Sequence, residues 1–310
     1  MSENHPERFL RIKSKSDKYE YFSKGILVQS LFSIGMNTDQ AQEIANKVAE
    51  KVSMLSETQT KKKLIQIIKS AIESVDKRLA QRYIAFEGEK EYKPIIILLA
   101  GVPGIGKSTL AASLSERLEI TNIIGTDMIR EILRQTISSK LIPEIHCSSY
   151  EAYKYLKPTL NPILRQSIVG YEEQTRHIIV GVEAAIQSAL YSRETTIIEG
   201  VHLAPNILNP DILKEPHVLM ILLYLEDEEE HIKRIKSRGL EITKRAADRY
   251  INYFPEIRSI QTYLVEEATK LNIPIIETSD SSKALNKMMD IIWDRILLLN
   301  EKIKMEIIGQ

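Results

Sequence analysis

The spacing of hydrophobic residues divides this chain into two stretches of different character. Over residues 8–90 it is mainly helical. Phe9–Ile12 and Tyr19–Phe22 read as short strand-like pieces around a polar turn, Ser14 to Lys18. Ile26, Leu27, Leu31 and Ile34 then fall on one helix face, and Gly35 to Thr38 ends that helix. Asp39 is a candidate cap for a second helix whose buried face would hold Ala41, Ile44, Ala45, Val48 and Val52. A third amphipathic helix is expected through Leu64, Ile67, Ile68, Ile72, Val75 and Leu79. Such a unit can close a small core of its own, and the charged, glycine-containing segment Glu87 to Lys93 reads as a linker.

From Pro94 onward, short apolar runs alternate with helical periods, as they do when parallel strands are joined by crossover helices. Five strands are expected: Pro94–Ala100, Ile120–Ile124, Thr195–Ile198, Val218–Leu225 and Ile273–Glu277. Met128 to Ser192 is helix-rich and too long for a simple crossover, so it is expected to form a substrate-covering subdomain. The last helix repeats apolar residues from Leu285 to Leu299, with Trp293 beside that stripe as a packing residue. The predicted organisation is a domain at 8–90 and an α/β domain at 91–310.

Between the first strand and the helix that follows lies Gly101-Val102-Pro103-Gly104-Ile105-Gly106-Lys107-Ser108, which fits G-x-x-x-x-G-K-[ST]. In the setting strand, glycine loop, helix, this pattern describes a nest of backbone N–H groups at a helix N-terminus, suited to a polyphosphate. Gly101, Gly104, Ile105, Gly106, Lys107, Ser108 and Thr109 are the expected nucleotide contacts. Lys107 would reach the terminal phosphates and Ser108 would ligate Mg²⁺. The implied ligands are ATP and Mg²⁺.

In open α/β sheets, ligands sit beyond the carboxyl ends of the strands. Asp127 follows the second strand and Glu199 follows the third. Phosphoryl transfer needs an acidic group for the attacking hydroxyl and oxygen ligands on the metal side. Asp127 is the candidate for the first role and Glu199 for the second, with the assignment between them open. Asp127 could equally cap the helix after it, and Glu199 could be a buried ion-pair partner. Arg130 and Arg134, one turn apart, suit an acceptor bearing phosphate or carboxylate, and His202 could donate to the same anion. Lys154, Lys157, Arg165 and Arg176 lie in the inserted helices and could contribute.

The segment His231 to Arg258 is dense in cations, with a lid hinge expected at Gly239. Arg238 and Arg245 are the candidates to cover the transferring phosphoryl group, and Arg249 and Arg258 are further ones. A solvated helix face is the alternative reading of such a run.

Composition narrows the function classes. The 310 residues carry 42 Lys+Arg and 42 Asp+Glu, so nothing in the totals suggests a protein that coats nucleic acid. A single cysteine, Cys147, allows no internal disulfide and fits a reduced, cytoplasmic setting as a buried or incidental thiol. No apolar run is long enough to span a membrane.

The phosphate loop together with Gly125-Thr126-Asp127-Met128-Ile129-Arg130-Glu131, Ile198-Glu199-Gly200-Val201-His202-Leu203 and Arg245-Ala246-Ala247-Asp248-Arg249-Tyr250 resembles the archaeal 2-phosphoglycerate kinases over most of the chain. The resemblance implies a P-loop kinase fold and ATP-dependent phosphorylation of the 3-hydroxyl of 2-phosphoglycerate to 2,3-bisphosphoglycerate. The residues alone reach only a small anionic hydroxyl compound. Another acceptor (an RNA-attached amino acid or a different sugar acid) and a non-catalytic ATP sensor are the alternatives. Residues 8–90 resemble an ATP-cone, on Ile12-Lys13, Glu20-Tyr21-Phe22, Lys24-Gly25-Ile26 and Ala80-Gln81-Arg82-Tyr83. Ser14 stands where that module usually has a basic residue, and the glycine of its turn is missing. Nucleotide binding at Lys13 and Lys24 and a structural or self-associating, homo-oligomeric role are therefore both open.

Overall fold

The computed structural model describes residues 11–13, 19–55, 58–87, 94–156, 163–241 and 244–308. Two compact units emerge, residues 1–92 with 293–310, and residues 93–292.

In the first unit, β1 (Arg11–Lys13) pairs antiparallel with β2 (Tyr19–Tyr21) and parallel with β3 (Thr58–Thr60). Thr58-Gln59-Thr60 carries no hydrophobic alternation, so this third strand leaves no mark in the sequence. The helices are α1 (Lys24–Ser33), α2 (Thr38–Ser53), α3 (Lys61–Glu73) and α4 (Lys77–Glu87). Asn37, in extended conformation, caps α2 by accepting from the Gln40 N–H at 2.9 Å; Asp39, the expected cap, lies inside the first turn. The single helix expected from Leu64 to Leu79 is two. Ile72 O closes α3 by accepting from the N–H groups of Val75 and Asp76, and Asp76 Oδ1 then accepts from Arg78 and Leu79 to start α4.

The last turns of the final helix belong to this unit, whereas the sequence reading assigns everything after residue 91 to the sheet domain. Trp293 accounts for the difference. Its ring is fully buried against the edge of Phe86, and its indole N–H donates to Ser33 O at 2.9 Å.

The second unit runs β4 (Ile96–Ala100), α5 (Lys107–Leu118), β5 (Asn122–Gly125), α6 (Thr126–Thr136), α7 (Ile163–Ser192) and β6 (Thr196–Gly200). It continues with α8 (Pro210–Lys214), β7 (Val218–Tyr224), α9 (Glu228–Glu241), α10 (Lys244–Asn252), α11 (Phe254–Lys270), β8 (Ile275–Glu277) and the part of α12 (Ser281–Ile308) that precedes Trp293. Two 3-10 turns, Pro143–His146 and Ser149–Tyr155, separate α6 from α7. All sheet pairings are parallel, in the order β5-β6-β4-β7-β8. The sheet grows outward from β4 in both directions, so the loop after β4 opens at the centre of its carboxyl edge. Ile96 to Ala100 are fully buried, as a central parallel strand covered on both faces must be. No helix among the described residues is long and apolar enough to cross a membrane.

Helix α7 fixes the inserted segment by close approach. A Cβ on Gly170 would lie 2.2 Å from the backbone nitrogen of Tyr153 in the second 3-10 turn, and one on Gly181 would lie 2.6 Å from Ile129 of α6. Gly170→Ala should therefore destabilise the second unit by about 3 kcal/mol, at the upper end of overpacking costs, because backbone must move to admit the methyl. Urea unfolding followed by circular dichroism measures it; unchanged stability would show that α7 and the 3-10 turn separate freely.

Candidate active site

The phosphate loop takes its shape from two glycines in particular. Gly101 has φ 149°, and a Cβ there would lie 2.6 Å from both Ile105 Cδ1 and Leu223 O. Gly104, at φ 85°, packs so tightly on α9 that a Cβ would meet Ile235 at 2.6 Å. The loop's carbonyls are taken up from behind. His231 Nε2 donates to Pro103 O at 2.8 Å, Arg234 donates to Ile105 O at 3.3 Å, and Lys107 Nζ donates to Val102 O at 3.0 Å. The buried Thr278 hydroxyl lies 2.9 Å from Ile105 O. Burial holds His231 below its ordinary pKa, so the ring is a neutral donor. With these carbonyls engaged, the loop's N–H edge is available to an anion. A cleft of about 420 Å³ opens there, lined by Gly104, Gly106, Ser108, Thr109 and Arg234, with Ser237 and Ser281 farther along.

The strand ends carry the two carboxylates. Gly125 and Glu199 are register partners across β5 and β6. Ser108 Oγ donates to Glu199 Oε1 at 2.9 Å, joining the loop's hydroxyl to the carboxylate expected on the metal side. Asp127 lies one residue inside α6, with Gly125 at the N-cap and no side-chain cap bond, so the helix-cap alternative for Asp127 is set aside. Its side chain is 76% exposed and faces Arg130 Nε at 3.5 Å.

Arg130 is largely covered, and its Nη1 donates to Ile145 O and Cys147 O at 3.3 and 3.1 Å. Arg134 pairs with Glu131 at 3.0 Å. His202, expected to donate to the acceptor, is fully buried and has both ring nitrogens engaged, by Thr126 Oγ1 at 3.0 Å and Gln174 Oε1 at 3.1 Å. Direct donation by this ring is therefore corrected to a contact with α6 and α7. Burial pushes its pKa down to about 4, against the opposing pull of Asp127. Cys147 is buried, with its thiol pushed up to about 11 chiefly by burial and donating to Glu144 O at 3.1 Å, which leaves it no nucleophilic role.

The cationic segment divides by function. α9 continues through Gly239 to Glu241, so the glycine expected at a hinge is helical. The side chains of Arg238 and Arg245, with Lys157 and the side chain of Lys13, lie outside the described residues. Arg249 pairs with Glu151, which also takes Lys154 at 3.1 Å; burial raises this carboxyl, but the two cations outweigh it and hold it below its ordinary value. Tyr150 packs at a tilt against Tyr250 of α10 and against Tyr253 just past it, both with ring centres 5.5 Å away, so α10 is docked on the second 3-10 turn. Arg258 is corrected from lid cation to brace, donating to Leu225 O and Glu226 O at 2.6 and 2.9 Å. Arg165 is exposed, Arg176 pairs with Glu172 and Glu173, and Lys24 is exposed at the head of α1.

Sequence reasoning missed Thr126, Gln174, Thr278 and Glu151, and it read Arg234 only as one cation in a run. Thr126 and Thr278 sit at or just past strand ends, where position alone could have raised them. Gln174, mid-helix, carries no such signal.

No protein-family model matches the chain. It is 36% identical over 294 residues to the 2-phosphoglycerate kinase of Methanopyrus kandleri, covering 93% of this chain and 88% of that protein. The 2-phosphoglycerate kinase of Methanocaldococcus jannaschii is 35% identical over 290 residues, 90% of each chain. That of Pyrococcus horikoshii is 36% identical over 294 residues, 93% of this chain and 95% of its own. A solved gluconokinase from Sinorhizobium meliloti 1021 covers 70% of this chain and 99% of its own at 14% identity and a TM-score of 0.38.

His202 yields a stability prediction. Its folded pKa of about 4 lies below the ordinary histidine value, so the unfolded chain binds more protons in between. Its contribution is complete above about pH 6.5 and is lost as pH falls toward 4. His202→Gln should flatten the pH dependence of unfolding free energy there by about one proton, measured by urea titrations at several pH values. An unchanged slope would mean that His202 titrates normally in the folded protein.

Proposed function

This chain belongs to the 2-phosphoglycerate kinase family, and on that premise we propose that it transfers the γ-phosphoryl group of ATP to the 3-hydroxyl of 2-phosphoglycerate. The products are 2,3-bisphosphoglycerate and ADP. The observation carrying the division of labour is the 2.9 Å contact of Ser108 with Glu199, set against an Asp127 that is exposed beside Arg130.

The donors on one side of the sheet edge belong to ATP. The loop N–H groups hold the phosphates, and Lys107, turned to Val102 O in the present structure, moves its ammonium to the terminal phosphates. Among the described residues no group of three or more His, Cys, Asp or Glu could hold a metal by itself. That fits Mg²⁺, which commonly relies on few protein oxygens and completes its shell with phosphate and water. Ser108 and Glu199, a hydroxyl and a carboxylate in contact, are the residues that would hold it. When bound, the ion supplies charge neutralisation at the phosphates.

The acceptor occupies the opposite side. Its 3-hydroxyl oxygen forms a bond to the γ-phosphorus while the bond to the β–γ bridging oxygen breaks, and the electron pair leaves with ADP. Asp127 orients the hydroxyl and takes its proton. The acceptor's phosphate and carboxylate carry a charge that arginine forks match, and Arg130 and Arg134 lie on the α6 face beside Asp127. Arg238 and Arg245, on the chain segment that includes the docked α10, complete the reading as the cations that meet the developing charge.

ADP release should follow addition of 2-phosphoglycerate and ATP·Mg²⁺, and be far slower with 3-phosphoglycerate or glycerate. Turnover of glycerate in preference would shift the acceptor class. Asp127→Asn is expected to lower kcat by about 10²-fold or more, the range of acid–base groups. An unaffected kcat in that variant, with a large loss in Glu199→Gln, would exchange the two roles. Lys107→Ala should abolish transfer while leaving the far-ultraviolet circular dichroism unchanged; retained transfer would remove the phosphate-loop mechanism.

A further inference from the structure

We propose that Gln174, in α7, is a positioning residue for the acceptor, acting through His202 and Thr126 on the head of α6 and through two carbonyls on the segment opposite. The inference deepens the reading of the acceptor side above and rests on it.

Gln174, His202 and Thr126 are each 0–1% exposed, and together they form one continuous polar chain. Its direction follows from hydrogen-bond capacity. The Gln174 amide nitrogen lies 2.5 Å from Glu144 O and 3.1 Å from Cys147 O, so both of its hydrogens are spent on carbonyls. The opposite amide orientation would set three oxygens against one another. Gln174 Oε1 therefore faces His202 Nε2 at 3.1 Å as an acceptor, and that nitrogen carries the proton. Nδ1 is then bare and accepts from the Thr126 hydroxyl at 3.0 Å. Every link has one arrangement.

Both ends of the chain reach the acceptor side. Thr126 is the first residue of α6, directly before Asp127, and fits against β6 because Gly200 has no side chain there; a Cβ would lie 1.8 Å from Thr126 Oγ1. Cys147 O, at the other end, also accepts from Arg130 at 3.1 Å. Asp127 and Arg130 are thus set from α7 through two routes that meet in one amide. The phosphate loop is braced separately, by His231 and Arg234 of α9 and by Thr278. Three buried polar side chains are costly unless every group is satisfied, and an apolar trio would fill the space without that cost. What the polar chain adds is a single geometry.

Steady-state kinetics on the full chain test this. Gln174→Leu and Thr126→Val should each raise KM for 2-phosphoglycerate about tenfold or more while leaving KM for ATP within about twofold. Thr126→Ser keeps the hydroxyl and should keep the unmodified KM. Because Thr126→Val breaks only the His202 route, which Gln174→Leu breaks as well, the double variant should be no worse than Gln174→Leu alone. The relay is overturned if both KM values rise together in step with falling Tm, if neither moves, or if the serine variant is as impaired as the valine one. Imidazole ¹⁵N shifts of His202 in the substrate-free protein should show the Nε2–H tautomer, and an Nδ1–H tautomer overturns the relay whichever acceptor is used. Absence of turnover with 2-phosphoglycerate in the unmodified chain overturns the acceptor assignment alone, and the tautomer then decides the relay.

Discussion

A loop that grips a polyanion must turn its carbonyl oxygens away from it, and much of this site follows from that requirement. Backbone carbonyls of Val102, Pro103 and Ile105 are met by Lys107 of α5, His231 and Arg234 of α9 and Thr278 just past β8. Gly101 and Gly104 adopt the positive φ values that such a reversal demands, and they admit neighbours too close for any side chain. Helix α9 therefore supports the phosphate loop although it contributes no motif. Its histidine serves in a neutral state that burial enforces, since a charged ring there would oppose Arg234 and Lys107.

Acceptor-side construction uses a different means. Its candidate groups, Asp127, Arg130 and Arg134, are carried on one helix whose head is held by buried polar contacts as well as by the close approach that Gly200 allows. The separation has a chemical logic. Phosphates are symmetrical and tolerate a generic cradle of N–H groups, whereas an acceptor must present one hydroxyl out of several oxygens. Side-chain networks with a single satisfied arrangement suit the second task.

The docked α10 stands between these extremes. Glu151 gathers Arg249 and Lys154, and Tyr150 packs with Tyr250 and Tyr253, so a carboxylate and an aromatic group on the inserted turn receive the segment that follows α9. Arg249 and Lys154 are half-exposed but Glu151 is buried, so losing these partners would leave a desolvated carboxylate unpaired.

The phosphate loop, the parallel strands and the two strand-end carboxylates were all legible in the chain, because each depends on local pattern: a buried run, a glycine spacing, an acid at a strand terminus. Similarly legible was the cation-rich segment, though Arg258 and Arg234 turned out to brace carbonyls. Tertiary structure alone decided what a side chain faces. The third short strand, the transfer of Trp293 to the first unit and the pairing of Gln174 with His202 all depend on residues far apart in sequence, whereas the break of one helix into α3 and α4 rests on local contacts around Asp76 that hydrophobic periodicity does not record. The physical reason is the range of the forces concerned. Periodicity records which face is buried, and a motif records a backbone shape. A buried hydrogen bond records only that two distant groups each lost water and found one another, and neither partner's neighbours in the chain carry any trace of it.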